Sequence, residues 1–534
     1  MKAKLLALLL VLCIACDDST NKKTQIDKEL IGEVTPTETS ITKYVKNNID
    51  LNSSNVPMGP KANASKMELY TLAWQQFIAL NWPVANTCFP GNRAKPSTSN
   101  SFLNVTPTSL PTVVWSTYAS KAEIFNHQTD TLPKWDSLTK PVYQYKKQPT
   151  ALNCTDNFDL FNNLDENNEI GEAVVFGGAG LNNTEGGNQV LYEAKINETE
   201  YNYLRTYKLQ NKKTDSIWAS NTVKELNTFG GTCKTEEAAK QKVICFPCAD
   251  DNSEGVIEIK AAWRKLNNSD NVNRFYTQKV LVYKKVAGEI KYTNETYGLV
   301  GLHIIRKTKN YPTFIFTTFN QVDNINSGIY YNNSIALEKA KKPYYQYYKN
   351  KTVQHTVGGI VKDTIIQVPD TTYNPNHKHI QLGNIAIKNQ EEVHTIPADL
   401  TTFNTAIQKL IGSKGKKSVW QYYELLGVQA VPTDLKNATS DDSYYLANNV
   451  IETDYTLRRF TGAFADTTGI LLYAQNVNQQ GKTVSMGGCM GCHGNAQAGG
   501  NDFSFLLGDS IISEPDTLGT PPNVTAVKNI IKNF

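Results

Sequence analysis

Five residues near the end of the chain, Cys489-Met490-Gly491-Cys492-His493, combine side-chain types and a spacing that can do redox chemistry. Wound into one helical turn, the stretch sets its two thiols the right distance apart to form thioethers with both vinyl groups of a haem. The imidazole that follows is then aimed at the iron. The pattern predicts one covalent haem c, attached through Cys489 and Cys492, with His493 as an axial ligand. With nine cysteines and seven histidines in 534 residues, such a string arises by chance in roughly two chains per thousand of this composition. The competing reading is a disulfide, or half a zinc site, beside an incidental histidine. A zinc site needs two more soft ligands, and no second Cys-x-x-Cys or Cys/His pair lies nearby in the sequence.

An iron held by His493 has a second face to fill. The 41 residues after His493 contain neither Met nor His, so the C-terminal segment is not a self-contained small cytochrome. Either the large body supplies a ligand or the sixth position is open. His303 is the first candidate, because Leu302, Ile304 and Ile305 around it form an apolar, strand-like stretch that would hold an imidazole rigidly. A lone histidine is more often a core or hydrogen-bonded residue, and that reading stays open. Met486 is a weaker candidate: it precedes Cys489 by three residues, and so short a return is strained. Met490 sits inside the attachment turn, and Met58 and Met67 are remote in sequence. Phe503, Phe505, Leu506 and Leu507 can pack against a porphyrin edge, excluding water and raising the potential, or simply fill the core.

Setting aside Cys13 in the leader, Cys16, Cys489 and Cys492 leaves Cys88, Cys154, Cys233, Cys245 and Cys248, an odd set that allows at most two disulfides within the chain. Cys245-Phe246-Pro247-Cys248 is a second Cys-x-x-Cys, but Ala249 stands where a haem site needs His. No βαβ pattern surrounds it as in a thioredoxin-like site, so a structural bridge from Cys233 to one of the pair is expected. His377 and His379 would face the same way on a strand, yet no carboxylate or cysteine completes a metal set, and solvated loop residues are expected. The run from Asp250 to Gly255 begins like a calcium loop, but its twelfth position is Ala261 where the motif needs Glu, so a turn is expected. Gly177-Gly178-Ala179-Gly180 lacks dinucleotide-binding spacing, and no nucleophile triad or phosphate loop offers another chemistry.

The start of the chain gives an address. Lys2 and Lys4 precede a short apolar run, Leu5 to Leu12, as in an export signal, and Cys13-Ile14-Ala15-Cys16 resembles a bacterial lipobox. Cys16 would then be acylated and tether the mature protein to a membrane, although Cys13 stands where that pattern usually has Leu. Ordinary cleavage after a small residue is the alternative. No later run reaches the length of a transmembrane helix. Export agrees with haem c, whose attachment belongs outside the cytoplasm, in the cell envelope on the periplasmic or outer-membrane side. Without Lys2 and Lys4 the 54 basic residues become 52, against 50 acidic, so the chain lacks the basic bias of a nucleic-acid binder.

Elements that must position these residues follow from periodicity. Residues 65–82 place Leu69, Leu72, Ala73, Phe77 and Leu80 at helical spacing, with Ser65 to cap the start and Pro83 to stop it. Residues 85–185 suggest long loops over short strands. Strands are expected at 190–195, 256–263, 274–285, 301–306, 312–319 and 378–387, and helices at 399–411, 418–426 and 444–453. The expected organisation is a lipoprotein signal peptide (1–15), a flexible tether (16–62), a body (63–480) and a haem-binding segment (481–534). The fold class is α+β, with a β-rich centre and helices at both ends.

Several stretches together resemble a family of exported bacterial monohaem proteins with a c-type site near the C-terminus. They are WQQFIALNWP (74–83), IEIKAAW (257–263), GLHIIRKT (301–308), TTFNQVDN (317–324), LANNVIET (446–453) and the haem motif followed by DFSFLL (502–507). The resemblance implies a haem protein and supplies no substrate. Three functions stay open: electron transfer to a redox partner protein with both axial positions filled, chemistry on peroxide or another small molecule at an open iron with His303 as a distal acid/base, and a binding module whose haem is structural or sensing.

Overall fold

The computed structural model describes residues 37–85, 92–125, 131–137, 190–266, 270–323, 348–357, 360–369, 396–415, 417–431, 446, 448, 451, 477–479, 482–484 and 488–507. Its strands, in chain order, are β1 (Ala119–Ser120), β2 (Val190–Ile196), β3 (Ile257–Lys265), β4 (Thr277–Val286), β5 (Glu289–Thr308), β6 (Tyr311–Gln321), β7 (Tyr348–Val357), β8 (Ile360–Pro369), β9 (Tyr423–Gln429), β10 (Val477–Gln479) and β11 (Lys482–Val484). The principal helices are α1 (Glu38–Asn48), α2 (Lys66–Leu80), α3 (Glu198–Tyr207), α4 (Lys212–Lys224), α5 (Ala398–Lys414) and α6 (Gly488–Ala498).

A seven-stranded sheet runs in the order β1-β2-β3-β5-β6-β9, with β4 also paired to β5. Every pairing in it is antiparallel. The protein is α+β. Two further hairpins, β7–β8 and β10–β11, pair separately.

Register decides what each face of the sheet presents, because successive side chains point to opposite sides. Ala261, Leu302 and Phe319 lie opposite one another on β3, β5 and β6, and Leu425 of β9 joins that row. Helix α2 packs on this side: Trp74 meets Phe319 at 5.1 Å and Phe77 meets it at 4.3 Å between ring centroids. The next row, Lys260, His303, Thr318 and Gly427, points to the other side.

Helix α2 forms where expected, and its start is chemically fixed. Ser65 accepts from the Glu68 amide while the Glu68 side chain returns to the Ser65 amide, so two orphan donors of the first turn are satisfied at once. The expected strands in the sheet are all present, but β5 begins at Glu289, twelve residues before the expected 301–306, while 378–387 lies outside the described residues. The expected helix at 418–426 is instead a 3-10 turn (Val419–Tyr422) followed by β9, whose alternating burial seats Tyr423, Leu425 and Gln429 inward. The aromatic-rich run reads as either period over so short a length; pairing with β6 decides it. The expected tether does not extend through residue 62. Helix α1 lies inside it, capped by Thr37 and burying Ile41 and Val45, and Pro57, Pro60 and Lys61 offer carbonyls to Arg306, Asn310 and Tyr311. Of the expected helix at 444–453, the described residues are Leu446, Asn448 and Ile451.

Candidate functional site

Helix α6 carries the Cys489-Met490-Gly491-Cys492-His493 motif on a little more than one turn. Its sequence is a poor helix former, with Gly488, Gly491 and Gly494 each costing about 1 kcal/mol relative to alanine. Tertiary contacts compensate. The Met490 amide donates to Gln429 Oε1 at 2.7 Å, the Met490 side chain is fully buried, and the Cys489 thiol donates to the Leu446 carbonyl at 3.4 Å. Leu446 reaches that place because Gly427 has no side chain: a Cβ there would lie 2.6 Å from Leu446 Cδ1. Both motif cysteines are thiols, Cys489 buried and Cys492 half-buried.

His493 is held from three directions. Its ring lies 4.9 Å from Phe316 of β6 and 5.0 Å, edge to face, from Phe505. Its Nδ1 is 2.6 Å from the Phe503 carbonyl oxygen. A carbonyl can only accept, so Nδ1 carries the proton and Nε2 keeps its lone pair. Burial pushes the imidazole pKa down to about 4, with the Phe503 bond opposing and Lys260 adding to the fall. The ring is therefore neutral at ordinary pH, which is the state that ligates a metal.

The loop that supplies this carbonyl is tightly specified. Helix α6 ends at Ala498, and in the turn after it Gly500 has a φ of +91° and an approach to the Ala219 carbonyl of α4 that exclude any side chain. Asp502 and Phe503 follow in left-handed conformations, φ 46° and 67°, which cost non-glycine residues roughly 1–2 kcal/mol each. Asp502 is tied by its Oδ2 to the Phe246 amide at 2.6 Å and to Lys307 Nζ at 2.5 Å. Phe503, Leu506 and Leu507 are buried in the main core, while Phe505 is 39% exposed beside His493.

Opposite the motif, the polar row of the sheet turns toward it. His303 is 6% exposed. Burial, and then the Lys260 ammonium, lower its pKa well below the ordinary value, so it too is neutral. Register puts both imidazoles on this side of the sheet: Phe316, whose ring meets His493, lies two residues from Thr318, the partner of His303, and so on the same face. Lys260 stands beside His303 in register and over the Tyr192 ring at 5.2 Å. Thr318 accepts from Asn448 Nδ2 at 2.8 Å. Helix α3 brings Glu200 against Glu258 of β3; burial and that neighbouring carboxyl raise the Glu200 pKa well above the usual range.

The structure thus gathers His303 and His493 and leaves other sequence candidates elsewhere. Met67 packs at the margin of the core, Met58 is exposed, and Met490 is turned into the core. Met486, Cys16, Cys88, Cys154, His377 and His379 lie outside the described residues. Cys233 and Cys248 form a disulfide, the structural bridge expected, and Cys245 remains a buried thiol. Residues 250–253 make a turn, with Asp250 and Ser253 bonding each other's backbone. Sequence reasoning missed Gln429, Leu446, Lys307 and the Phe503 carbonyl; the runs 301–308, 446–453 and 502–507, singled out for their resemblance, contain the last three.

Among the described residues, no group of three or more His, Cys, Asp or Glu side chains could hold a metal ion, and no helix is long and apolar enough to cross a membrane. Cys489, Cys492 and His493 do not converge as a ligand set for a bare ion, whereas thioether attachment asks only that the two sulfurs be thiols on one turn. Compared with family models, curated proteins and solved structures, the chain matches none.

Proposed function

We propose that the chain is a c-type monohaem cytochrome that transfers electrons outside the cytoplasm, tethered to a membrane through Cys16. The observation that carries the reading is the His493 bond to the Phe503 carbonyl: it fixes the tautomer, leaves Nε2 as a donor pair, and comes from a residue on the same turn as two thiols. Ligating histidines commonly have their other ring nitrogen held in this way. Cys489 and Cys492 would hold haem c, which supplies an iron able to accept and return one electron. His493 would ligate the iron, and His303, neutral and on the face of the sheet turned to the motif, would be the residue best suited to be its second protein ligand. Phe316 and Phe505 flank the His493 imidazole and limit the access of water to it. The leader and Cys16 carry the export and tether, and a redox partner protein is implied.

A second reading has its own support. His303, Lys260 and the Thr318–Asn448 pair make a polar surface facing the motif, as a distal site acting on peroxide or another small molecule would require. The reduced visible spectrum, with and without carbon monoxide, separates the two. Electron transfer predicts a sharp low-spin spectrum unmoved by the gas and a His303→Ala variant that becomes high-spin and binds it. A wild-type spectrum that shifts on adding the gas favours the second reading. Protein without covalent haem, made in a host that attaches haem c, would sink both.

A further inference from the structure

We infer that the buried Lys307–Asp502 ion pair is a brace that holds the Phe503 carbonyl on His493, and so sets the orientation and basicity of the proximal imidazole; this rests on the haem reading above. The two residues are 195 apart in sequence, and their side chains are 0% and 1% exposed. Lys307 is fixed to the sheet at both backbone atoms: its amide donates to the Val256 carbonyl at 3.1 Å and its carbonyl accepts from the Ala249 amide at 2.9 Å. Its ammonium also lies 5.6 Å over the Phe314 ring and 3.8 Å from the Cys245 sulfur. Asp502, by contrast, belongs to a loop whose backbone is left-handed at two successive non-glycine residues. Left to itself such a loop relaxes, and Phe503 is the next residue along. The Phe246 amide on the same carboxylate oxygen completes the clamp. Rigid strand, ammonium, carboxylate, carbonyl and imidazole thus form one mechanical series ending at Nδ1. A carbonyl-bonded imidazole is the more basic ligand and favours oxidised iron, so the brace lowers the potential as well as fixing the ring.

The test is Lys307→Met in the full-length, haem-loaded chain. Covalent haem should remain, because Cys489 and Cys492 are untouched, and this is read by mass. The midpoint potential should rise, and the His493 Nδ1–H signal in reduced, nitrogen-15 histidine-labelled protein should exchange with solvent at least tenfold faster. Lys307→Arg should recover part of both effects. If Lys307→Met does not fold, Asp502→Asn, which keeps an acceptor for the Phe246 amide, carries the same expectation. A folded variant with unchanged potential and unchanged exchange overturns the brace, as does a haem-loaded wild type whose Nδ1–H is unprotected. Failure of the haem reading looks different: the wild type itself would carry no added haem mass.

Discussion

On the side of the sheet turned to α2, the strands present Ala261, Leu302, Phe319 and Leu425, and the helix answers with Trp74 and Phe77. On the other side the same strands present Glu258, Lys260, His303 and Thr318, and the element answering them is a glycine-rich turn carrying two thiols and an imidazole. One backbone therefore serves two different physical tasks. The first side stabilises by removing apolar surface from water, about 25 cal/mol for each Å². The second side spends some of that stability on buried polar and ionisable groups, which a fold keeps where something must be bound or tuned.

The comparison is broken most directly at Phe77. Its ring is fully buried and touches Phe102, Phe319, Trp420 and Tyr423, so Phe77→Ala should cost about 3–5 kcal/mol in a urea titration. If the chain carries haem as proposed, the variant that remains folded should keep the wild-type haem spectrum. A spectrum that changed with Phe77 would mean that the two sides are not separable.

Gly427 sharpens the contrast from the other side. A Cβ placed there meets Leu446 Cδ1 at 2.6 Å, and overpacking of this kind costs about 1–3 kcal/mol. Leu446 must shift, and its carbonyl is the acceptor for the Cys489 thiol. Gly427→Ala should therefore lose less stability than Phe77→Ala and yet lower the yield of covalent haem, read by mass on purified protein. Equal yields in the two variants would dissolve the distinction between the sides.

The core side was much the more legible of the two in sequence. Helix α2 announces itself by period, cap and terminal proline, and β3, β5 and β6 by β-branched and aromatic runs. Helices α1 and α4 did not, because each buries two residues, Ile41 and Val45 in one and Trp218 and Thr222 in the other, too few for a period to stand out from polar surroundings. Helix α3 hides its four buried positions behind glutamates and tyrosines, residues that read as surface. For the site, the motif and His303 were legible as residue types at telling places. Their supports were not: the Phe503 carbonyl is a backbone atom with no signature, and the Lys307–Asp502 and Gln429–Met490 contacts join positions 195 and 61 residues apart.

A prediction of a different kind concerns the carboxyls that α3 brings to the polar side. Burial raises the Glu200 pKa well above the ordinary value of about 4.5, and Glu258 and then Asp502 add to the rise. Between that ordinary value and the raised one, folded protein holds a proton that the unfolded chain has released. Stability present below about pH 4.5 is therefore lost as pH rises through this window, at about 1.4 kcal/mol per pH unit for one proton. Glu200→Gln has nothing to titrate. Urea midpoints measured at about pH 5 to 8 should fall more steeply for the wild type than for the variant, in which Asp215, Glu254 and Asp502 still titrate, the gap between them widening with pH. Phe77→Ala should reproduce the wild-type slope at lower stability, because packing of that ring carries no proton. If Glu200→Gln fell in parallel with the wild type, the pH cost would belong to some other group, and the polar side would be less expensive to keep than its buried carboxyls imply.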